Sequence, residues 1–165
     1  MTGGNAVPRD ALLNHTDLYH VFLHATDVEA AMALLSEHLG LNWLPVMRGT
    51  YSAWVPDGQA FTAEAVTVYS KEGPVYVELG HFPVGPMPTA TDLVNPHHFG
   101  YWCDDVPSTK QALQDSDWKL EFEVGREVGG PTGSYLRSPA GLLVELVPRA
   151  IKERFEAYTR SAAQA

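Results

Sequence analysis

The sequence predicts an α+β fold of two tandem βαβββ modules whose strands form a cupped, open-barrel mixed sheet. Residues 17–28 and 95–106 superimpose at a constant offset of 78, which matches His20 with His98, Asp27 with Asp105 and Val28 with Val106. Each segment leads into a helix-like stretch. Each half then closes on a Val-Glu-Leu strand, Val77-Glu78-Leu79 in the first and Val144-Glu145-Leu146 in the second. The chain is therefore an internal duplication with two histidines and two glutamates at equivalent places. Imidazole nitrogen and carboxylate oxygen are ligands shared by zinc, cobalt, nickel, manganese and iron, so the pattern suggests a site for one divalent metal ion.

Taken in order, residues 1–13 carry Gly3-Gly4-Asn5 and Pro8 with no sustained period and read as a flexible leader. The first module, 14–81, opens with alternation over 18–24 that sets His20, Phe22 and His24 on one strand face and Tyr19, Val21 and Leu23 on the other. Thr26 or Asp27 can cap a helix over 28–39. There Val28, Ala31, Met32, Leu35 and Leu39 fall three and four apart, and Gly40 marks the stop. Strand-like runs follow at 51–55, 65–69 and 75–79, separated by the turn signals Pro56-Asp57-Gly58 and Glu72-Gly73-Pro74. A Pro-rich linker, 82–96, is expected to be extended, unpaired and long enough to wall a pocket.

The second module, 97–148, repeats the order, with a strand at 99–103, a helix at 108–114 and strands near 120–124, 134–137 and 142–147. Its His-to-Glu span is 47 residues against 58 in the first, a difference of about one loop. Residues 149–165 form a C-terminal helix and tail. Ile151, Arg154, Phe155 and Tyr158 share one face, which would seal the fold or an oligomer contact.

Composition narrows the function. At 165 residues and 45% hydrophobic content the chain can bury a true core, and no apolar run is long enough for a bilayer. A formal charge of −9 without a Lys/Arg cluster argues against nucleic acid. The single cysteine, Cys103, excludes an internal disulfide and a thiolate-rich metal cluster, so any metal must use N and O ligands. A cytoplasmic, homodimeric protein acting on a small molecule is the expectation.

On alternating strands, Phe22 shares a face with His20, Tyr76 with Glu78, Trp102 with His98, and Leu143 and Val147 with Glu145. These faces are mostly apolar. A carboxylate buried there must neutralise or find a counter-charge, and a divalent cation supplies one. Phe22, Tyr76, Trp102 and Trp54 would then line an apolar pocket around the cation. His97 is expected on the opposite strand face from His98. His24 and His81 read as ordinary polar residues near the pocket, and Cys103 as a small core residue.

These residues resemble the vicinal oxygen chelate superfamily, which includes glyoxalase I, methylmalonyl-CoA epimerase, extradiol dioxygenases and the bleomycin and fosfomycin resistance proteins. The carriers are His20 with Asp27-Val28, His98 with Asp104-Asp105-Val106, and the closing segment 135–146 with its Pro139-Ala140-Gly141 turn ahead of Glu145. The resemblance covers about residues 18–148 and implies that His20, Glu78, His98 and Glu145 are the metal ligands. It also implies a substrate-facing Tyr135, with Glu78 or Glu145 as the base. The implied activity is that of a metal-dependent isomerase, epimerase or lyase that stabilises an enolate-type intermediate of a small carbonyl or thioester. An Fe(II) extradiol-type dioxygenase and a metal-free, drug-sequestering protein of the bleomycin-resistance type are the alternatives. Against the dioxygenase, Ser138 precedes Pro139 where an acidic or amide residue is usual, and no histidine lies shortly before Tyr135.

Overall fold

The computed structural model of the chain describes residues 11–83, 91–126 and 130–163. Most of the expected leader, residues 1–10, and residues 84–90 of the expected linker lie outside the described residues. Among the described residues there are eight strands: β1 (Leu18–Ala25), β2 (Met47–Trp54), β3 (Ala60–Tyr69), β4 (Tyr76–His81), β5 (Val94–Cys103), β6 (Lys119–Arg126), β7 (Gly130–Arg137) and β8 (Leu143–Pro148). Helices α1 (Val28–Leu39) and α2 (Val106–Gln114) follow the first strand of each half, and α3 (Lys152–Ala163) ends the described chain.

The strands run β1-β4-β3-β2-β6-β7-β8-β5 and return to β1, so the expected cup closes into a barrel. Within each half the first strand lies parallel to the last, β1 with β4 and β5 with β8. The halves join twice, through antiparallel β1–β5 and through a short antiparallel β2–β6 contact of three residue pairs. Both joints are within one chain. The register carries the duplication: Phe22 lies opposite Glu78 and, equivalently, Gly100 lies opposite Glu145.

Local sequence explains the helices. Asp27 accepts a hydrogen bond from Ala30 N–H at 3.0 Å and Asp105 one from Ser108 N–H at 3.0 Å, satisfying orphan donors at each N-terminus. Such a cap is worth about 1 kcal/mol. Gly40, at φ 71°, takes the left-handed position that ends α1.

Each helix covers the outer face of its own half. Ala25, Val28, Ala31, Val68 and Leu79 pack beneath α1, and Cys103, Leu113, Leu136, Val144 and Leu146 pack beneath α2. The Val-Glu-Leu strands follow from this. Leu79, Val144 and Leu146 turn out to the helices, so Glu78 and Glu145, of opposite parity, turn into the barrel.

One expectation about pairing changes. Residues 94–96 were assigned to an unpaired linker, but Val94, Asn95 and Pro96 sit opposite Ala25, His24 and Leu23. The strand reaches past Pro96 because a proline costs only its own ladder donor.

The C-terminal helix closes one mouth of the barrel. Phe155 of α3 packs edge-on against Tyr19, Tyr69, Tyr76 and Trp102, at ring separations of 5.0 to 5.8 Å. Ahead of α3, Arg149 pairs with Asp17 at 2.8 Å and with Asp104 at 2.7 Å, pinning the chain where the helix starts.

Candidate metal centre

Four side chains of the duplicated pattern meet inside the barrel. His20 Nε2 lies 3.1 Å from His98 Nε2, 3.5 Å from Glu78 Oε2 and 3.5 Å from Glu145 Oε2, and His98 Nε2 lies 3.4 Å from Glu145 Oε2. Ligand atoms of His20, His98 and Glu145 all fall within 4.8 Å of one another. Glu78 joins this trio through His20.

These spacings suit a cation. Ligands about 2.0–2.1 Å from a zinc ion stand roughly 2.8 to 3.0 Å apart along the edges of an octahedron and about 3.3 to 3.4 Å apart along those of a tetrahedron. The donor set fits as well, with two imidazoles and two carboxylates for one divalent charge.

Burial makes the demand for a counter-charge strong. His20 and His98 are 0% and 2% exposed, and both carboxylates are 8% exposed. Burial pushes the Glu78 carboxyl well above its ordinary range, the charge of Glu145 adds to the rise, and hydrogen bonding from Tyr69 opposes it. Burial also raises Glu145, against the pull of His20 and of a hydrogen bond from Tyr135. The same burial holds His20 and His98 down to about 3, so both imidazoles are neutral and able to ligate.

Two glycines make room for the side chains of this cluster. A methyl group on Gly100 would overlap the His20 imidazole, and one on Gly133 would overlap the Glu145 carboxylate. On the other side of the joint, Phe22 occupies the position equivalent to Gly100 and stacks on His98 at 4.7 Å and 11°.

The cavity holding Glu78 and Glu145 measures about 210 Å³. Its walls include Tyr19, Phe22, Tyr51, Tyr69, Phe82 and Tyr135, with Thr67 and Thr132, and no Lys or Arg is among its described lining residues.

Of the four residues assigned to substrate, Phe22 and Tyr135 line this cavity, whereas Tyr76 and Trp102 line a neighbouring one of about 350 Å³ beneath α3. The reason is height along the strand. Tyr76 shares the inward face with Glu78 but stands two residues, about 6.6 Å, nearer the mouth that Phe155 covers. Trp102 stacks on Tyr19 at 3.8 Å at that same end. Trp54 is not a wall of either cavity.

Several site residues escaped the sequence reading. Tyr69 faces Glu78 across β3–β4 as Tyr135 faces Glu145 across β7–β8, so each carboxylate has its own tyrosine. The signal was there in the duplication, because each tyrosine sits nine or ten residues before its glutamate. Tyr19 and His97 were hidden by irregular pairing. Two residues of β1 span one step of β5 at Tyr19, and two of β5 span one step of β1 at His97. These bulges turn both side chains inward. Tyr19 lines the cavity, and His97, expected on the far face, instead lies beside His98 with Nδ1 to Nδ1 at 2.7 Å. His24 and His81 stand further along, His81 bonded to the Ala25 carbonyl at 2.9 Å and His24 accepting from Phe82 N–H at 3.4 Å.

A family model described as the Glyoxalase/Bleomycin resistance protein/Dioxygenase superfamily matches residues 19–135. The chain belongs to this superfamily. Residues 136–148, including the Glu145 strand, lie beyond the matched stretch, so the superfamily match does not itself reach Glu145.

Among solved structures sharing the superfamily fold, methylmalonyl-CoA epimerase from Mycobacterium tuberculosis is 15% identical, with 90% of this chain and 97% of that chain covered and a TM-score of 0.51. A Streptomyces coelicolor methylmalonyl-CoA epimerase variant in complex with 2-nitronate-propionyl-CoA is 18% identical, covering 84% and 95%, with a TM-score of 0.50. A hypothetical protein from Bacillus halodurans is 15% identical, covering 79% and 92%, with a TM-score of 0.52. Nothing among curated protein sequences matches. No helix among the described residues is long and apolar enough to cross a membrane.

Proposed function

We propose that this superfamily member is a divalent-metal-dependent isomerase, epimerase or lyase that moves a proton next to the carbonyl of a small organic carbonyl or thioester. The observation that carries the reading is the meeting of two neutral histidines and two buried carboxylates at coordination-edge spacings beside a cavity walled largely by aromatic rings. His20, His98 and Glu145 would hold the ion, with Glu78 as either fourth ligand or base. A bound divalent ion would polarise the substrate carbonyl.

The chain's own groups supply the rest. Glu78 opens on the cavity, outside the tight trio, and Tyr69 orients its carboxylate, which suits it to take and return a proton. Tyr135 stacks on Phe122 at 4.3 Å and orients Glu145, while Phe22, Tyr51 and Phe82 exclude water. A cavity of about 210 Å³ takes only the reacting end of a substrate. For a CoA thioester, like those of the epimerases that share the fold, the nucleotide would stay outside, since no described wall offers it a cation.

A second reading draws on the trio itself. Two histidines and one carboxylate on a common face is also the ferrous-iron arrangement of oxygenases, so an extradiol-type dioxygenase is the alternative. Metal-free sequestration of a ligand is the third, and it leaves the buried carboxylates without a counter-charge.

The test is metal content on protein purified without chelator or affinity nickel, followed by proton NMR in D₂O of small acyl thioesters and hydroxy-ketones. Metal near one per chain and exchange of the proton next to the carbonyl support the proposal. Bound iron with oxygen uptake on catechols moves it to the dioxygenase, and no metal after reconstitution sinks both. We place this enzyme in the cytoplasm as a homodimer. Light scattering on the purified protein tests the dimer.

A further inference from the structure

The two histidines of the centre do not have equivalent surroundings. His98 Nδ1 meets His97 Nδ1 at 2.7 Å, whereas His20 Nδ1 is buried without a hydrogen-bond partner. The duplication puts Tyr19 where His97 stands in the other half, and the Tyr19 ring is edge-on to His20 at 4.4 Å and 87°. The paired bulges that turn Tyr19 and His97 inward therefore support one ligand and leave the other unsupported.

We propose that His97 is a positioning residue for the metal centre, holding His98 in the tautomer that presents a bare Nε2 to the cation. This rests on the metal reading above. A neutral imidazole has one proton, and one of the two facing Nδ1 atoms must carry it. If it sits on His97, then His98 is protonated at Nε2, which points at His20 Nε2 3.1 Å away and blocks a cation. If it sits on His98, then Nδ1–H donates to His97, Nε2 is free, and the His97 proton is at its own Nε2, which like His20 Nδ1 is buried without a hydrogen-bond partner among the described residues. Loading the site selects the second arrangement with no change in proton count. His97 is built for this task. Phe22 at 5.7 Å and His24 at 6.5 Å flank its ring, and the bulge fixes its backbone. Hydrogen-bond partners of ligating histidines are commonly worth about 10- to 100-fold in metal affinity.

The test separates acceptor from bulk. His97→Phe keeps a ring and removes the acceptor, while His97→Asn loses the ring and retains an acceptor oxygen where Nδ1 stood. Cobalt(II) affinity, measured by visible absorption in competition with a chelator, should fall about 10- to 100-fold in His97→Phe and stay within about threefold of wild type in His97→Asn. Melting temperatures of the metal-free proteins verify folding. Retained affinity in His97→Phe, or equal loss in both variants, overturns the proposal. A measurement without substitution stands beside it, a long-range proton–nitrogen spectrum of the zinc-loaded wild type. It should show His97 protonated at Nε2, and protonation at Nδ1 overturns the assignment. Failure of the wild type to bind cobalt or zinc at all instead removes the metal reading, and this proposal with it.

Discussion

Gly100 lies directly against the face of His20, close enough that a single methyl group would overlap the imidazole. Glycine is required there by contact with the His20 ring. Gly100→Ala should therefore displace His20 while leaving the sheet paired. Misplacing a reacting group by about 1 Å can cost about 100-fold, so metal affinity and turnover should both fall by at least about tenfold. Chelator competition on the folded variant measures the first, and wild-type affinity would show that His20 is not a ligand.

Glu145 and Glu78 should separate on substitution. Glu145 stands within reach of both histidines, whereas Glu78 approaches the cluster at His20. Glu145→Ala should lose stoichiometric metal. Glu78→Gln keeps the shape and the Tyr69 contact but cannot accept a proton, so it should keep metal and lose proton exchange by about 10²- to 10⁴-fold. Metal analysis and deuterium exchange on the same preparations give the answer. Loss of metal in Glu78→Gln would make Glu78 a ligand.

How much of this was legible in the sequence depends on regular pairing. The Val-Glu-Leu strands and His20/His98 could be read because alternation and the 78-residue offset agree wherever strands are unbroken. Tyr19 and His97 could not, because a bulge reverses strand parity and exists only in the pairing of β1 with β5. Alternation assigned Tyr76 and Trp102 to the inward side, where they are, but gives no height along the barrel. They stand at the end capped by Phe155, which no local pattern could place there. Closure of the cup was likewise hidden, since it rests on three residue pairs between β2 and β6.

Stability against pH should be bell-shaped in the metal-free protein. Burial holds His20, His97 and His98 at about 3, against about 6.5 when unfolded. Their contribution is complete above about 6.5 and is lost as pH falls toward 3. Glu78 and Glu145 are raised, so their contribution is complete below about 4.5 and is lost as pH rises through their folded values. A cation binds neutral imidazole and ionised carboxylate. The rise in melting temperature on adding zinc should therefore grow with pH. Calorimetry from about pH 4 to about pH 9, with and without zinc, measures it, and a pH-independent rise would contradict the ligand set.

Phe155 should set the size of group the enzyme accepts. Its ring rests on Tyr19 and Tyr69, walls of the cavity that holds Glu78 and Glu145, and on Tyr76 and Trp102, walls of the cavity beneath α3. Tyr19 is common to both cavities, of about 210 and 350 Å³, so the aromatic layer pinned by Phe155 divides one space from the other. Phe155→Ala removes the pin and costs stability, roughly 2–3 kcal/mol for a half-buried ring. The ring contacts of Phe155 are to Tyr19, Tyr69, Tyr76 and Trp102 and not to His20 or His98, so metal affinity should stay within about twofold. Turnover should shift toward substrates with longer acyl chains, because the divided space can open into one. Comparing kcat/KM for a short and a long acyl thioester in wild type and Phe155→Ala measures the shift. An unchanged ratio with reduced melting temperature would make Phe155 a packing residue alone.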